Sequence, residues 1–480
     1  MKKLNQILNG IQYKGLVDER SIEGITYDSR KVKQNFLFIA INGYKNDGHR
    51  YIDKAIKLGA VAIVIDSNFE CKNTNIPIIR VKNSREAMSK MSANFFNNCS
   101  SKIKIVGITG TNGKTTVTQL VDYILKYNNY ASSSIGTLGF QGPNGLSSTG
   151  FTTPESVELQ NMLQTLSLGG ITHLTMEISS HALSLCRVDD VNVDIAVFTN
   201  LTAEHLDFYK NMEEYFNAKL KLFKKLASNK IAIINNDNKY SKKIKNYTKA
   251  KILTFGFNSK STIYPEKITM TLEGSKFVIN FKKQKIKVMT KLIGDFNISN
   301  ILASILICDS LGLDINKIVK AIENFTLVPG RFESFKKNNN GTIIVDYAHT
   351  PDAFEKMLSL IKKIDNQKKI ITLFGCGGDR DNLKRPLLGQ ISEKYSDKVI
   401  ITDDNPRFEN PKKIINDIIS GFKSANYSII NDRKVAIEKA ITKLAGTEVL
   451  MILGKGIENY QIINNKKYNH NDVDIVKSLI

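Results

Sequence analysis

The segment Gly107-Ile108-Thr109-Gly110-Thr111-Asn112-Gly113-Lys114-Thr115-Thr116 has the residue types of a phosphate-binding turn. Its glycines let backbone N–H groups converge on phosphate oxygens, and a helix starting directly after it adds the positive end of a dipole. Lys114 is spaced to reach β- and γ-phosphates, and Thr115 to offer a hydroxyl to Mg²⁺. The general phosphate loop has glycine five positions before its Gly-Lys pair, where this chain has Ile108. A glycine-rich turn with an incidental lysine is the plainer alternative. The β-branched run before the turn and the amphipathic stretch after it argue for the phosphate loop.

Two further segments carry ligand chemistry. Thr175-Met176-Glu177-Ile178-Ser179-Ser180-His181 puts a carboxylate at the end of an apolar run. Phe198-Thr199-Asn200-Leu201-Thr202-Ala203-Glu204-His205-Leu206-Asp207 does the same with an imidazole. In a parallel sheet such ends share the ligand-binding edge. Glu177 and His205 are therefore the expected metal ligands, and His181 is expected to be structural.

The elements that must position these groups read as α/β throughout. Strands are predicted at 36–40, 60–65, 103–109, 171–176, 195–199 and 231–234, and in the last third at 342–345, 370–374, 399–402 and 449–453. Helices are predicted near 51–58, 115–127 and 297–311, and the polar stretch 97–102 reads as a linker. Strands alternating with helices imply a doubly wound, mostly parallel central sheet of the phosphate-loop type. A small N-terminal α/β domain and a C-terminal Rossmann-like α/β domain flank it. The expected boundaries are 1–100, 101–330 and 331–480.

Composition excludes several classes. The 480 residues are 42% hydrophobic and 24% charged, ordinary for a folded globular chain. No apolar run approaches the ~20 residues that span a bilayer, and Met1–Gln6 turns polar too early for a signal peptide, so no integral membrane association is expected. Five scattered cysteines (Cys71, Cys99, Cys186, Cys308, Cys376) never form Cys-x-x-Cys. They suggest free thiols in the cytoplasm and no structural zinc. The net charge of +22 could mark nucleic-acid binding. The lysines are dispersed, however, and the chain is rich in Lys, Asn and Ile and lacks Trp, so codon composition explains the charge better. No nucleic-acid partner is expected.

The Gly-Thr-x-Gly-Lys-Thr turn and the segments around Glu177 and His205 resemble the Mur ligases and their folylpolyglutamate synthetase relatives. The resemblance runs from about residue 26 to 461. It implies an ATP- and Mg²⁺-dependent, amide-bond-forming ligase of cytoplasmic cell-wall precursor synthesis, expected as a monomer. On it, Lys219 in Tyr215-Phe216-Asn217-Ala218-Lys219 matches a lysine the family carries as a carbamate, an oxygen ligand able to support a second magnesium. Asn297 and Asn300 match adenine contacts. Arg331 matches an arginine reaching the γ-phosphate, and Asp346 a nucleotide contact from the third domain. Residues 26–30 and 43–49 resemble a uridine-diphosphate site, with Ser29, Tyr44, Lys45 and Asn46 as contacts. Thr152, Thr153, Ser179 and Arg187 match contacts to the muramoyl-dipeptide; Leu185 departs from a polar contact seen in some members.

The third domain points to the amino acid added. Gly377-Gly378-Asp379-Arg380-Asp381 and Asp404-Asn405-Pro406-Arg407 resemble members that add meso-diaminopimelate to UDP-N-acetylmuramoyl-L-alanyl-D-glutamate. Arg407, helped by Arg380, would grip the distal carboxylate bidentately, where L-lysine offers only an ammonium. Gly454 and Glu458 would complete that pocket, with Ile457 where many relatives have histidine. The rival expectations are the same ligase using L-lysine, a folylpolyglutamate synthetase-like enzyme, and a non-catalytic nucleotide-binding protein.

Overall fold

The computed structural model describes residues 1–480 apart from 44–45, 71–73, 327, 339 and 465. Three sheets of five, eleven and six strands follow one another along the chain. In the first, strands Gly24–Thr26, Phe36–Ile39, Ala60–Asp66 and Ile78–Val81 run parallel, and Tyr13–Lys14 adds an antiparallel edge. The helix Ser84–Phe95 covers one face and Ile52–Lys57 the other, because each strand buries apolar residues on both sides.

The central sheet has a parallel heart in the order Ser132–Gly136, His173–Glu177, Lys104–Thr109, Ile195–Phe198, Ile231–Asn235 and Lys251–Phe255. Both edges are antiparallel. One carries the hairpin Gly139–Gly142 and Gly145–Ser147; the other ends in the meander Ile263–Thr271, Gly274–Phe281 and Gln284–Thr290. These edges went unread in the sequence, because half-exposed antiparallel strands lack the continuous apolar run of strands buried on both faces. The helices Lys114–Tyr127 and Asp295–Ser310 pack on one face, and Ser156–Leu168 and Met212–Lys224 on the other. Asp295–Ser310 is apolar nearly all round and sits inside the core as a consequence.

The third sheet runs Glu333–Lys336, Thr342–Asp346, Glu448–Leu453, Lys369–Phe374, Lys398–Ile401 and Tyr427–Ile429, antiparallel only at its first strand. The stretch 97–102, expected as a linker, includes a short helix, Cys99–Lys102. Its Cys99 is buried in the central core, and Ser100 Oγ accepts Asn192 N at 3.2 Å. Cys99, Cys186, Cys308 and Cys376 carry free thiols. Among the described residues no helix is long and apolar enough to cross a membrane.

Candidate active site at the junction of the second and third sheets

Three neighbouring central strands deliver the site. Lys104–Thr109 lies between His173–Glu177 and Ile195–Phe198. Their C-terminal ends therefore place the phosphate turn, Glu177 and the segment 199–205 side by side. Gly110 and Gly113 have φ of 150° and 87°. A side chain at Gly110 would collide with Thr199 Oγ1, and one at Gly113 with Asn300 Oδ1. The turn is strapped to segment 199–202. Thr111 N donates to Asn200 O at 2.9 Å, Asn112 N to Asn200 Oδ1 at 2.9 Å, and Thr199 Oγ1 to Asn112 O at 2.6 Å. Gly113 caps the helix Lys114–Tyr127, in whose first turn Thr115 and Thr116 are buried.

Lys114 Nζ donates to Gly110 O at 2.9 Å and Thr111 O at 2.8 Å. Lys219, on the helix Met212–Lys224, donates to the same Gly110 carbonyl at 3.1 Å and lies 4.5 Å above the Tyr215 ring. It is almost wholly buried. Burial, then the Lys114 charge, push its amine well below the ordinary lysine range. Burial also lowers Lys114, against the pull of Glu177 and Glu204.

Glu177 is buried, with Oε1 accepting Thr137 N at 2.8 Å and Oε2 accepting Thr137 Oγ1 at 3.2 Å. Glu204, which the sequence reading passed over, faces His205 at 3.6 Å and hydrogen-bonds His349 Nε2 at 3.2 Å. Burial would lift its carboxyl. The His349 hydrogen bond and the charges of His205, His349 and Lys114 outweigh this and hold it well below the usual carboxylate range. His205 has a left-handed φ of 59°, and burial pushes its imidazole down to about 4 despite Glu204. The neutral ring is the form that ligates metals. His181 packs edge-on against His205, ring centroids 4.8 Å apart. The signal for Glu204 was present: a carboxylate beside a proposed ligand at a strand's end.

The third sheet meets this edge. Arg331 NH2 donates to Thr115 Oγ1 at 3.3 Å, and its guanidinium stacks 4.5 Å from the Tyr347 ring centroid. Asn112 Nδ2 donates to Asp352 Oδ2 at 3.1 Å. Gly330 turns at φ 63°, where Ile457 packs against it with no room for a side chain.

Several expected contact residues have internal work. Asp346 accepts Phe332 N at 2.7 Å and Ala348 N at 2.6 Å, which ties up both of its oxygens. Asn300 Nδ2 donates to Asn297 Oδ1 at 3.2 Å, and Asn297 Nδ2 to Ile293 O at 2.9 Å, so this pair braces the helix start under Gly113. Thr153 is fully buried; its hydroxyl donates to Glu177 O at 2.9 Å and accepts Ser179 N at 3.0 Å. Thr152 Oγ1 pairs with Thr137 Oγ1 at 3.2 Å. Ser179 Oγ caps its helix through Ala182 N at 3.1 Å. Arg187 pairs with buried Glu155 at 2.8 Å and donates to Thr153 O at 3.0 Å. Leu185 N closes that helix on His181 O. A hydroxyl or guanidinium in the sequence does not reveal that its bonding capacity is used internally.

In the first sheet's domain Ser29 is buried at the start of the short helix Ser29–Lys31. Asn46 is exposed, and its carbonyl accepts Gly43 N at 2.9 Å. Tyr44 and Lys45 lie outside the described residues.

A second constellation forms at the C-terminal ends of the third sheet. Asn405 Nδ2 donates to Glu458 Oε2 at 2.9 Å, and wholly buried Lys455 joins Asn405 Oδ1 at 3.2 Å to Glu458 Oε2 at 2.9 Å. Lys455 had escaped the sequence reading, since a lysine between two glycines looks like loop surface. Arg407 NH1 donates to Gly378 O at 2.7 Å. Burial, then neighbouring Arg380, lower its affinity for its proton. Arg380 is exposed. Burial lowers the nearby His181 imidazole, with small further contributions from Arg187, Lys219 and Arg380. Gly454, at φ 113°, lies against Asp404 Oδ2, and Pro406 O fills the space beside Gly378.

The groups expected to hold a divalent cation do not form a cage of protein ligands alone. Among the described residues no three His, Cys, Asp or Glu side chains cluster in that way. Thr115, Glu177, Glu204 and His205 are an incomplete donor set with oxygen and neutral nitrogen, which suits Mg²⁺ completed by water and phosphate.

Three family models match in sequence order: Mur ligase family, catalytic domain, at residues 21–96; Mur ligase middle domain at 108–308; and Mur ligase, glutamate ligase domain, at 330–456. A protein of Caldanaerobacter subterraneus subsp. tengcongensis, named UDP-N-acetylmuramoyl-L-alanyl-D-glutamate--2,6-diaminopimelate ligase, is 41% identical over 461 residues, 96% of this chain and 95% of its own. A protein of the same name from Clostridium tetani is 39% identical over 485 residues, 100% of this chain and 99% of its own. A solved structure of a ligase so named superposes with a TM-score of 0.71 at 29% identity, covering 100% of this chain and 99% of that one. The fold is also that of MurF from Acinetobacter baumannii, with a TM-score of 0.67 at 16% identity over 94% of this chain and 95% of that one. The chain belongs to the Mur ligase family.

Proposed function

We propose that this chain joins an amine of meso-diaminopimelate to the D-glutamyl γ-carboxylate of UDP-N-acetylmuramoyl-L-alanyl-D-glutamate, with cleavage of ATP to ADP and phosphate. The observation that carries this reading is the meeting of two strand-end edges. The phosphate turn with Lys114, Glu177, Glu204 and His205 faces a pocket holding Arg380, Arg407 and Glu458. Residues 1–100 serve the UDP-sugar, 101–330 the nucleotide and 331–480 the amino acid.

The γ-carboxylate attacks the terminal phosphorus, ADP leaves, and an acyl phosphate forms. The amine then adds to the activated carbonyl, and the tetrahedral adduct expels phosphate. Lys114 and Arg331 neutralise charge on the transferring group, and most of the acceleration comes from this and from positioning. Mg²⁺, held by Glu177, His205 and Thr115 with Glu204 behind them, would supply further charge neutralisation at the phosphates. Burial lowers the Lys219 amine and so favours its uncharged form, the form that adds to carbon dioxide. Its carbamate would place an anion where the bare amine now meets Gly110. The contacts of Asn112 with Asp352 and of Glu204 with His349 hold the third domain over the acyl phosphate and keep water out.

The test is ATP-dependent phosphate release with the UDP-muramoyl-dipeptide and either meso-diaminopimelate or L-lysine. Tripeptide formation with diaminopimelate alone is the expected result. Preference for L-lysine would overturn the acceptor while leaving the ligase in place.

A further inference from the structure

The loops 377–380 and 404–407 follow neighbouring strands, Lys369–Phe374 and Lys398–Ile401, and neither has regular structure. Each depends on a non-glycine residue in the left-handed region, Asp379 at φ 52° and Arg407 at φ 54°. Such conformations persist only where surrounding contacts over-determine them.

For Arg407 they are backbone bonds, its N donating to Ile462 O at 3.0 Å and its O accepting Asn464 N at 2.8 Å; for Asp379 they come from behind the pocket wall. Arg385, fully buried in the first turn of the helix Lys384–Tyr395, grips Glu409 through two parallel bonds, NH1 to Oε1 and NH2 to Oε2, each 2.7 Å. The same NH2 donates to Gly377 O at 3.1 Å. Glu409 Oε2 also accepts Asp379 N at 3.1 Å. One guanidinium thus holds the first loop directly, and holds it again through a carboxylate just beyond the second. Gly378 N to Asn405 O at 2.9 Å and Phe408 N to Asp379 Oδ2 at 3.2 Å complete the seam.

Charge separates the three arginines of this region into two roles. Arg385 is neutralised by Glu409 and by Asp417, which accepts its NH1 at 2.8 Å. Arg380 and Arg407 form no ion pair with a described residue, which leaves them for an incoming anion. Arg407 rests its NH1 on Gly378 O, so its direction depends on where the first loop sits.

We propose that Arg385 and Glu409 are a positioning pair, a buried clamp that fixes the spacing of the Arg380 and Arg407 loops and so sets affinity for the distal carboxylate of the acceptor. This rests on the acceptor reading given above. Neither residue touches the substrate. Their effect is on geometry, and a bidentate fork transmits it better than a point charge can.

The test uses the full chain carrying Glu409→Gln or Arg385→Lys, with the KM of each of the three substrates, kcat and the melting temperature measured together. The clamp predicts that the KM for meso-diaminopimelate rises roughly tenfold or more, as expected for a lost charged hydrogen bond. The KM values for ATP and the UDP-muramoyl-dipeptide, and kcat at saturating acceptor, stay within about twofold. The preference for diaminopimelate over L-lysine narrows. A lowered melting temperature with all three KM values unchanged, or shifted alike, would reduce the pair to plain structure and overturn the proposal. If Arg385→Lys does not fold, the near-isosteric Glu409→Gln decides alone. Wild-type preference for L-lysine, which has no distal carboxylate, would overturn the acceptor reading and this role with it, whereas a wild type that prefers diaminopimelate with an unchanged diaminopimelate KM in the variants overturns the clamp alone.

Discussion

The phosphate turn and the acceptor pocket both occupy C-terminal strand ends, yet they are built by different means. The turn is contiguous in sequence, and its backbone is satisfied within itself and by segment 199–202, with Lys114 folded onto the carbonyls of Gly110 and Thr111. The acceptor pocket gathers residues 377–380, 404–407 and 454–458 from three strand ends. Its shape depends on side-chain hydrogen bonds and ion pairs around the loops: Arg385 with Glu409 and Asp417 behind the wall, and Lys455 with Asn405 and Glu458 at the pocket. A contiguous motif can be oriented largely by its own backbone and by one neighbouring segment. A composite site needs side-chain braces, and each brace is a place where specificity can be altered without touching substrate.

The contrast can be broken first on the phosphate side. Lys114→Ala should lower kcat roughly a thousandfold, with the UDP-muramoyl-dipeptide still bound, as read by phosphate release and equilibrium binding. Lys219→Arg places a permanent cation there that cannot become an anionic ligand, so a fall of about a hundredfold at unchanged melting temperature is expected. Near-full activity would show that no carbamate is needed at this position. On the acceptor side the effect should move from kcat to KM. Arg407→Lys should raise the KM for diaminopimelate by about tenfold and leave the ATP KM unaltered, because a lysine cannot offer a bidentate fork. The junction between the two regions should matter less. Asn112→Ala removes the bond to Asp352 and should slow turnover by about fivefold at most, as for a partly exposed contact.

The smallest effect concerns stability in the acceptor region alone. Burial, with Asp432 and Asp404 nearby, raises the Asp403 carboxyl from 3.8 to about 6. The folded chain therefore holds this proton more tightly than the unfolded chain, and ionisation works against folding. That cost is absent below pH ~4, grows as the pH rises through about 6 and is complete above it. Asp403→Asn should stabilise the protein by about 1–2 kcal/mol at pH 8 and not at all near pH 4, by calorimetry at both values. Equal stabilisation at the two pH values would place its origin elsewhere.

Legibility followed the same division. Strands Lys104–Thr109, Ile195–Phe198, Ile231–Asn235 and Glu448–Leu453 were readable because both faces are buried, so the whole run is apolar. The meander 263–290 was not, since half of its side chains face solvent. Glu177, His205 and the Arg380 and Arg407 loops could be named from sequence. Glu204 offered a signal, a carboxylate beside a named ligand at a strand's end, that went unused. His349, Arg385 and Glu409 could not be named, because each takes its meaning from a partner distant in the chain, and Lys455 could not, because only packing buries it.

By itself the sequence determined the alternation of strands and helices and the phosphate turn, since these depend on local periodicity, glycine placement and short spacing, while the residues of the proposed acceptor pocket came from the family resemblance. Only the tertiary structure decided which hydroxyls, carboxylates and guanidiniums remain available to ligands. Thr153, Asp346 and Arg187 are engaged internally, while Arg380 and Arg407 form no ion pair with a described residue. The physical reason is that a buried polar group must be satisfied, and the partner that satisfies it is chosen by packing rather than by nearness in sequence.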